Sequence, residues 1–113
     1  MLRTTALAAV AMISICSHSL ADEIVGNWKT ESGETAAIAG AGPFSVTVKT
    51  GKHAGKRIGM LEASGDNKYV GEITDPATDK TYSGKASLSG SSLKMSGCVL
   101  GGLICKSQNW KRM

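Results

Sequence analysis

A chain of 113 residues carrying a net charge of +4 has room for one modest hydrophobic core and little stability to spare. A charge this small excludes no partner class by itself, but its lysines and arginines are spread along the whole length, a pattern that does not suggest dedicated nucleic-acid binding.

The first segment reads as an export leader. Arg3 supplies a positive start, Ala6 to Ile15 is almost unbroken apolar sequence too short to span a bilayer, and Ser19-Leu20-Ala21 gives a small-x-small cleavage pattern before Asp22-Glu23. A Sec-type signal peptide over residues 1–21 is therefore expected, with a single domain over residues 22–113 in the periplasm or secreted. Removing the leader leaves 92 of the 113 residues and takes away Arg3, lowering the net charge to +3. It also takes away Cys16. No second apolar run is long enough to cross a membrane.

Beyond residue 21 helical periodicity is missing and period-two alternation recurs. Phe44, Val46 and Val48 alternate with Ser45, Thr47 and Lys49, and Tyr82, Gly84, Ala86 and Leu88 alternate with Thr81, Ser83, Lys85 and Ser87. The pattern predicts strands near 24–30, 34–39, 44–49, 57–62, 68–74, 80–88, 92–99 and 104–112. Fourteen glycines punctuate them, suiting tight turns, bulges and close strand crossings. The fold class expected is all-β, a small antiparallel barrel-like domain of about eight short strands. An eight-stranded interior is only just wide enough for its own side chains, so any cavity should be shallow.

Two cysteines remain, Cys98 and Cys105, and in an oxidising compartment they are most simply a disulfide. Gly101-Gly102 between them is a strong tight-hairpin signal. With that turn, Val99 pairs with Ile104 and Cys98 with Cys105, about 5.5 Å apart at Cα, within disulfide reach. Extending the register sets Gly97 opposite Lys106, Met95 opposite Gln108, and Leu93 opposite Trp110. That face, Val99 and Ile104 included, should be the core. Lys106 and Gln108 then stand as polar side chains at inward positions and need an explanation. A β-bulge near Lys106 or a snorkelling strand end would supply one; a polar pocket in the mouth of the domain would supply another.

Other candidates are weaker. The run Lys49 to Arg57 is the densest charge in the chain, suited either to gripping a phosphate or a lipopolysaccharide head group or to a solvated hairpin loop. It lacks P-loop spacing. Glu31 and Glu34 straddle a turn, where they could meet as a general acid/base pair, although solvated glutamates flanking a turn are the simpler reading; Asp75 and Asp79 straddle another, without the pattern of a calcium loop. His53 is the one histidine beyond the leader, too few for a zinc site, and no serine sits in a nucleophile elbow. No enzyme, metal or cofactor is expected. Trp28 and Trp110 come from the first and last strands, which barrel closure would bring together, either as core or as a stacking platform for a ligand.

Several stretches carry a family resemblance. Gly26-Asn27-Trp28-Lys29-Thr30-Glu31 opens the domain; Asp75 to Lys85, Gly97-Cys98-Val99-Leu100-Gly101 and Ser107-Gln108-Asn109-Trp110-Lys111-Arg112 follow. Together these resemble the small secreted bacterial proteins of the domain of unknown function 2147 family, of which this looks like a shortened member. The resemblance implies a secreted β-barrel-like domain and brings no catalytic residues. A fainter similarity is to calycin barrels such as lipocalins, where a G-x-W opening has a late basic residue packed over the tryptophan, the part Arg112 would play.

These readings converge on a binding protein of the cell envelope that takes a small amphipathic ligand non-covalently through Trp28, Lys106, Gln108 and Trp110. The alternative is a secreted protein-interaction module, an inhibitor or an envelope assembly factor, working through its loops.

Overall fold

The computed structural model describes residues 23–113. The export leader expected over residues 1–21, with Cys16 inside it, lies outside the described residues. The chain forms eight antiparallel strands closed into a barrel in sequence order. They are β1 (Gly26–Lys29), β2 (Thr35–Gly40), β3 (Phe44–Val48), β4 (Arg57–Ala63), β5 (Lys68–Thr74), β6 (Thr81–Ser89), β7 (Ser92–Val99) and β8 (Ile104–Arg112). Each matches an expected strand to within a residue or two, because alternation and turn chemistry agree along the whole chain.

The alternation sets the core. β3 buries Phe44, Val46 and Val48 and turns Ser45 and Thr47 outward, while β6 buries Gly84, Ala86 and Leu88. Side chains of opposite faces thus meet inside one half of the barrel, where Phe44 and Tyr69 pack edge to face at 5.7 Å between ring centroids. Trp28, Ile24, Leu61 and Leu93 are fully enclosed there. The Trp28 indole N–H donates to the Ile24 carbonyl at 3.0 Å, so its one polar atom is satisfied. Above it the Arg112 guanidinium sits 4.3 Å from the ring centroid. The same guanidinium donates to the carbonyls of Val25 and Glu23. Gly26 belongs to this arrangement: a Cβ there would come within 3.1 Å of Arg112 Nη1, and its φ of +143° suits glycine alone. The G-x-W opening and the late arginine are therefore one cap over the closed end.

The β7–β8 hairpin has the expected register throughout, from Leu93↔Trp110 to Val99↔Ile104. Gly101 and Gly102 take φ of 66° and 95°, and Leu103 N–H donates to Leu100 O at 3.3 Å, closing the tight turn. Cys98 and Cys105 form the disulfide, with their Cα atoms 4.1 Å apart. That is closer than the expected separation, for a reason visible in the ladder. Arg112 N–H turns toward the β7 side, onto Ser91 O, whereas Asn109 N–H turns away from it, onto Glu31 Oε2. Odd residues of β8 are thus non-hydrogen-bonded partners of β7, the pairs in which strands approach most closely.

Two expectations are corrected here. No register shift occurs between β7 and β8; the irregularity falls between Val46 and Thr47 of β3, where Val46 pairs Gly59 and Thr47 pairs Arg57. A bulge near Lys106 therefore does not account for the inward polar residues. Val99 and Ile104, expected in the core, are exposed. Pairing of β7 with β6 ends at Cys98↔Ser83, and the inward positions beyond it are left uncovered.

Candidate functional site

The two ends of the barrel differ. β1 is four residues long and pairs with β8 only at Trp28↔Arg112 and Lys29↔Lys111. The chain then leaves β8 through the turn at Thr30 to Glu34, so among the described residues β8 from Ile104 to Gln108 has no strand partner on its outer side. Asn109 N–H, on the same edge, is taken up by the Glu31 carboxylate at 2.8 Å. The half of the barrel between the β1–β2 turn and β8 consequently stays open.

A cavity of about 480 Å³ occupies that half, within the roughly 300–1,000 Å³ range of small-molecule sites. Its apolar floor is made by Val48, Ile58, Ile73, Met95 and Trp110, with Tyr82 beside them. Gly97, opposite Lys106, helps keep it open, since this inward position carries no side chain and even a Cβ would approach Tyr82 Cβ at 3.3 Å. The interior is therefore filled by its own side chains at the Trp28 end and unfilled at the other, wider than a shallow cleft.

Lys106 and Gln108 both line this cavity and both reach solvent. Their inward register needs no burial penalty to be met, because the wall on their β1 side is absent. Gln108 is also held in place: its Oε1 accepts the Trp110 indole N–H at 2.9 Å. That bond satisfies the polar atom of a buried tryptophan and fixes the amide at the cavity wall. Trp28 is not among the lining residues. It lies in the packed half beneath Arg112, so three of the four expected ligand-binding residues share the cavity and the fourth belongs to the cap.

The rim brings together residues far apart in sequence. Lys52 and His53, from the basic run after β3, line the cavity with Lys106. Among the described residues no side-chain hydrogen bond or ion pair engages these three. The carboxylates of this end are each committed elsewhere. Glu34 accepts the Thr50 hydroxyl at 2.6 Å, Asp75 accepts Ala77 N–H at 2.8 Å, and Asp79 pairs with Lys56 at 2.9 Å. Glu31 therefore holds the edge of β8 and Glu34 the loop after β3, and the two carboxylates are committed to different partners. The apolar lining at Ile58, Ile73, Tyr82 and Met95 went unmarked in the sequence, where each is one more inward residue of an alternating strand; only the missing wall turns it into a site.

A family model described as an uncharacterised protein conserved in bacteria (DUF2147) matches residues 47–112, more than half of the chain. That span contains the cavity floor, Lys52, His53, Lys106, Gln108 and Trp110, and leaves Trp28 outside. No curated protein and no solved structure matches the chain.

Proposed function

The chain belongs to the DUF2147 family of bacterial proteins, and we propose that its barrel binds a small amphipathic ligand, non-covalently and without turning it over, in the cell envelope. The observation that carries this reading is the division of the cavity into an apolar floor and a charged rim, where Glu34 and Asp75 are held by Thr50 and Ala77 while Lys52 and Lys106 are left without a side-chain partner among the described residues. Val48, Ile58, Met95 and Trp110 offer a surface for a hydrocarbon chain or ring, while Lys52, His53 and Lys106 stand at the opening. Burial of apolar ligand surface drives binding; a few placed polar groups set orientation. Gln108, fixed by Trp110, is the neutral hydrogen-bonding group beside them. A ligand with a short apolar body and an anionic head meets both requirements. Location outside the cytoplasm is supported by the Cys98–Cys105 disulfide, which persists in oxidising compartments, and by the charged-apolar-small order of the first 21 residues.

The test is a titration of single-chain carboxylates, phosphates and neutral amphiphiles, followed by tryptophan emission in a Trp28→Phe background. Trp110 then reports alone from the cavity floor. Saturable binding of anionic amphiphiles, weakened at least tenfold by Lys106→Glu, is expected. A flat response across the whole panel would sink the proposal.

A further inference from the structure

Among the described residues, the exposed large apolar side chains gather at one place, the tip of the β7–β8 hairpin. Leu103 is 83% exposed, Leu100 68%, Ile104 56% and Val99 38%. The other large exposed hydrophobics among the described residues, Val70 and Met113, stand apart from this cluster. Four adjoining apolar side chains at a loop tip call for a partner. The tip is also held in shape: the disulfide clamps its base, two glycines with positive φ form the turn, and Leu100 keeps φ at 55°, where leucine is disfavoured. Beyond Cys98 the hairpin is no longer paired with β6, so its tip is held only by its own turn and the disulfide.

The topology places this tip at the cavity end. The loops after β1, β3, β5 and β7 all lie there, since the strands run up and down in sequence order. At that end Lys49, Lys52, Lys56, Arg57, Lys80 and Lys106 outnumber Glu31, Glu34, Asp75 and Asp79. An apolar point set among excess cations is complementary to a surface with an anionic face and an apolar interior. A lipid bilayer has that order. A folded protein partner would need a complementary surface of roughly 800 Å², far more than one hairpin tip provides, whereas lipid fits any shape and adds attraction for each basic side chain near anionic head groups.

We propose that the cavity end of the barrel docks on anionic bilayers, with Leu100, Leu103 and Ile104 entering the interfacial region and Lys52 and Lys106 meeting the head groups. This goes beyond the ligand reading and stands without it, because docking needs only the tip and the rim. If both hold, the cavity mouth faces the lipid and an amphiphile reaches it without crossing water.

The experiment is co-sedimentation of the oxidised protein with vesicles of phosphatidylglycerol and phosphatidylcholine, against vesicles of phosphatidylcholine alone. All variants share the same N-terminal residues, so any affinity of that apolar run cancels. Binding to the anionic vesicles is expected, weakened at least tenfold by Leu100→Asp with Leu103→Asp. Lys52→Glu with Lys106→Glu should remove the preference for anionic lipid, and Val70→Asp, on the barrel side, should change nothing. Leu103→Trp should show a blue shift in emission when anionic vesicles are added. No sedimentation of the parent protein, or sedimentation indifferent to the Leu100/Leu103 pair, overturns the proposal. So does a concentration-dependent dimer that the same pair abolishes, since the tip would then join two copies of this chain. Vesicle binding in the absence of any response to free amphiphiles would leave docking standing and remove the ligand reading alone.

Discussion

Arg112 does three things with one side chain: it covers the Trp28 ring and donates to two carbonyls of the segment leading into β1. Arg112→Met keeps most of the apolar stem and loses the rest, so a loss of about 1–2 kcal/mol in urea unfolding is expected. Arg112→Lys should recover only part of it, because an ammonium cannot stack flat while donating in two directions. Gly71 tests a different constraint. Its Cβ would run into the Met60 backbone carbonyl across the β4–β5 ladder, so Gly71→Ala has to spread two strands. About 1–3 kcal/mol is expected for that overpacking. The cap was legible in the sequence, since Gly26, Trp28 and Arg112 carry it by type and position. The constraint at Gly71 was not, because which glycine meets a neighbour's carbonyl depends on a register that a single strand does not encode.

The β7–β8 hairpin shows what an element can and cannot disclose. Gly101-Gly102 and the cysteine spacing point to one register independently, and that register is the one observed. Removing the clip through Cys98→Ser with Cys105→Ser frees only a short loop in the unfolded chain. A loss of about 2–3 kcal/mol is therefore expected, with a reducing agent producing the same change in the parent protein. Unfolding midpoints in urea, oxidised against reduced, measure it directly. What the hairpin did not disclose is the fate of its own inward residues. Alternation marks Met95, Gly97, Val99, Ile104, Lys106 and Gln108 as facing in, and they do. Whether an inward residue is covered depends on the lengths of other strands, here the early end of β6 pairing and the shortness of β1. Val99 and Ile104 came out exposed, and Lys106 with Gln108 lines a cavity, for that one reason.

Closure of the whole barrel depends on its weakest ladder. β5, β6 and β7 pair with each other over seven residues on each side, while β1 and β8 meet at two pairs plus the Met113 N–H to Asn27 carbonyl bond at 3.1 Å. Local opening follows the fewest buried contacts and paired amides, so the seam should open at a lower free energy than the rest of the molecule. Native-state hydrogen exchange reads this residue by residue. The amides of Cys105 and Ser107, facing the unpartnered edge, should exchange first. Asn109 should be slower by virtue of the Glu31 carboxylate, and should join them in Glu31→Ala. Amides paired between β5 and β6 should persist until global unfolding. Equal protection in β1 and in β5–β6 would mean that the two-residue seam is not a weak point. Beyond the seam β8 has no wall on its β1 side among the described residues, and Lys106 and Gln108 line the cavity there. A ligand seated against them should raise protection in β8 and β1 while leaving β5–β6 unchanged, because it binds the closed form and has nothing to add where the ladder is already complete.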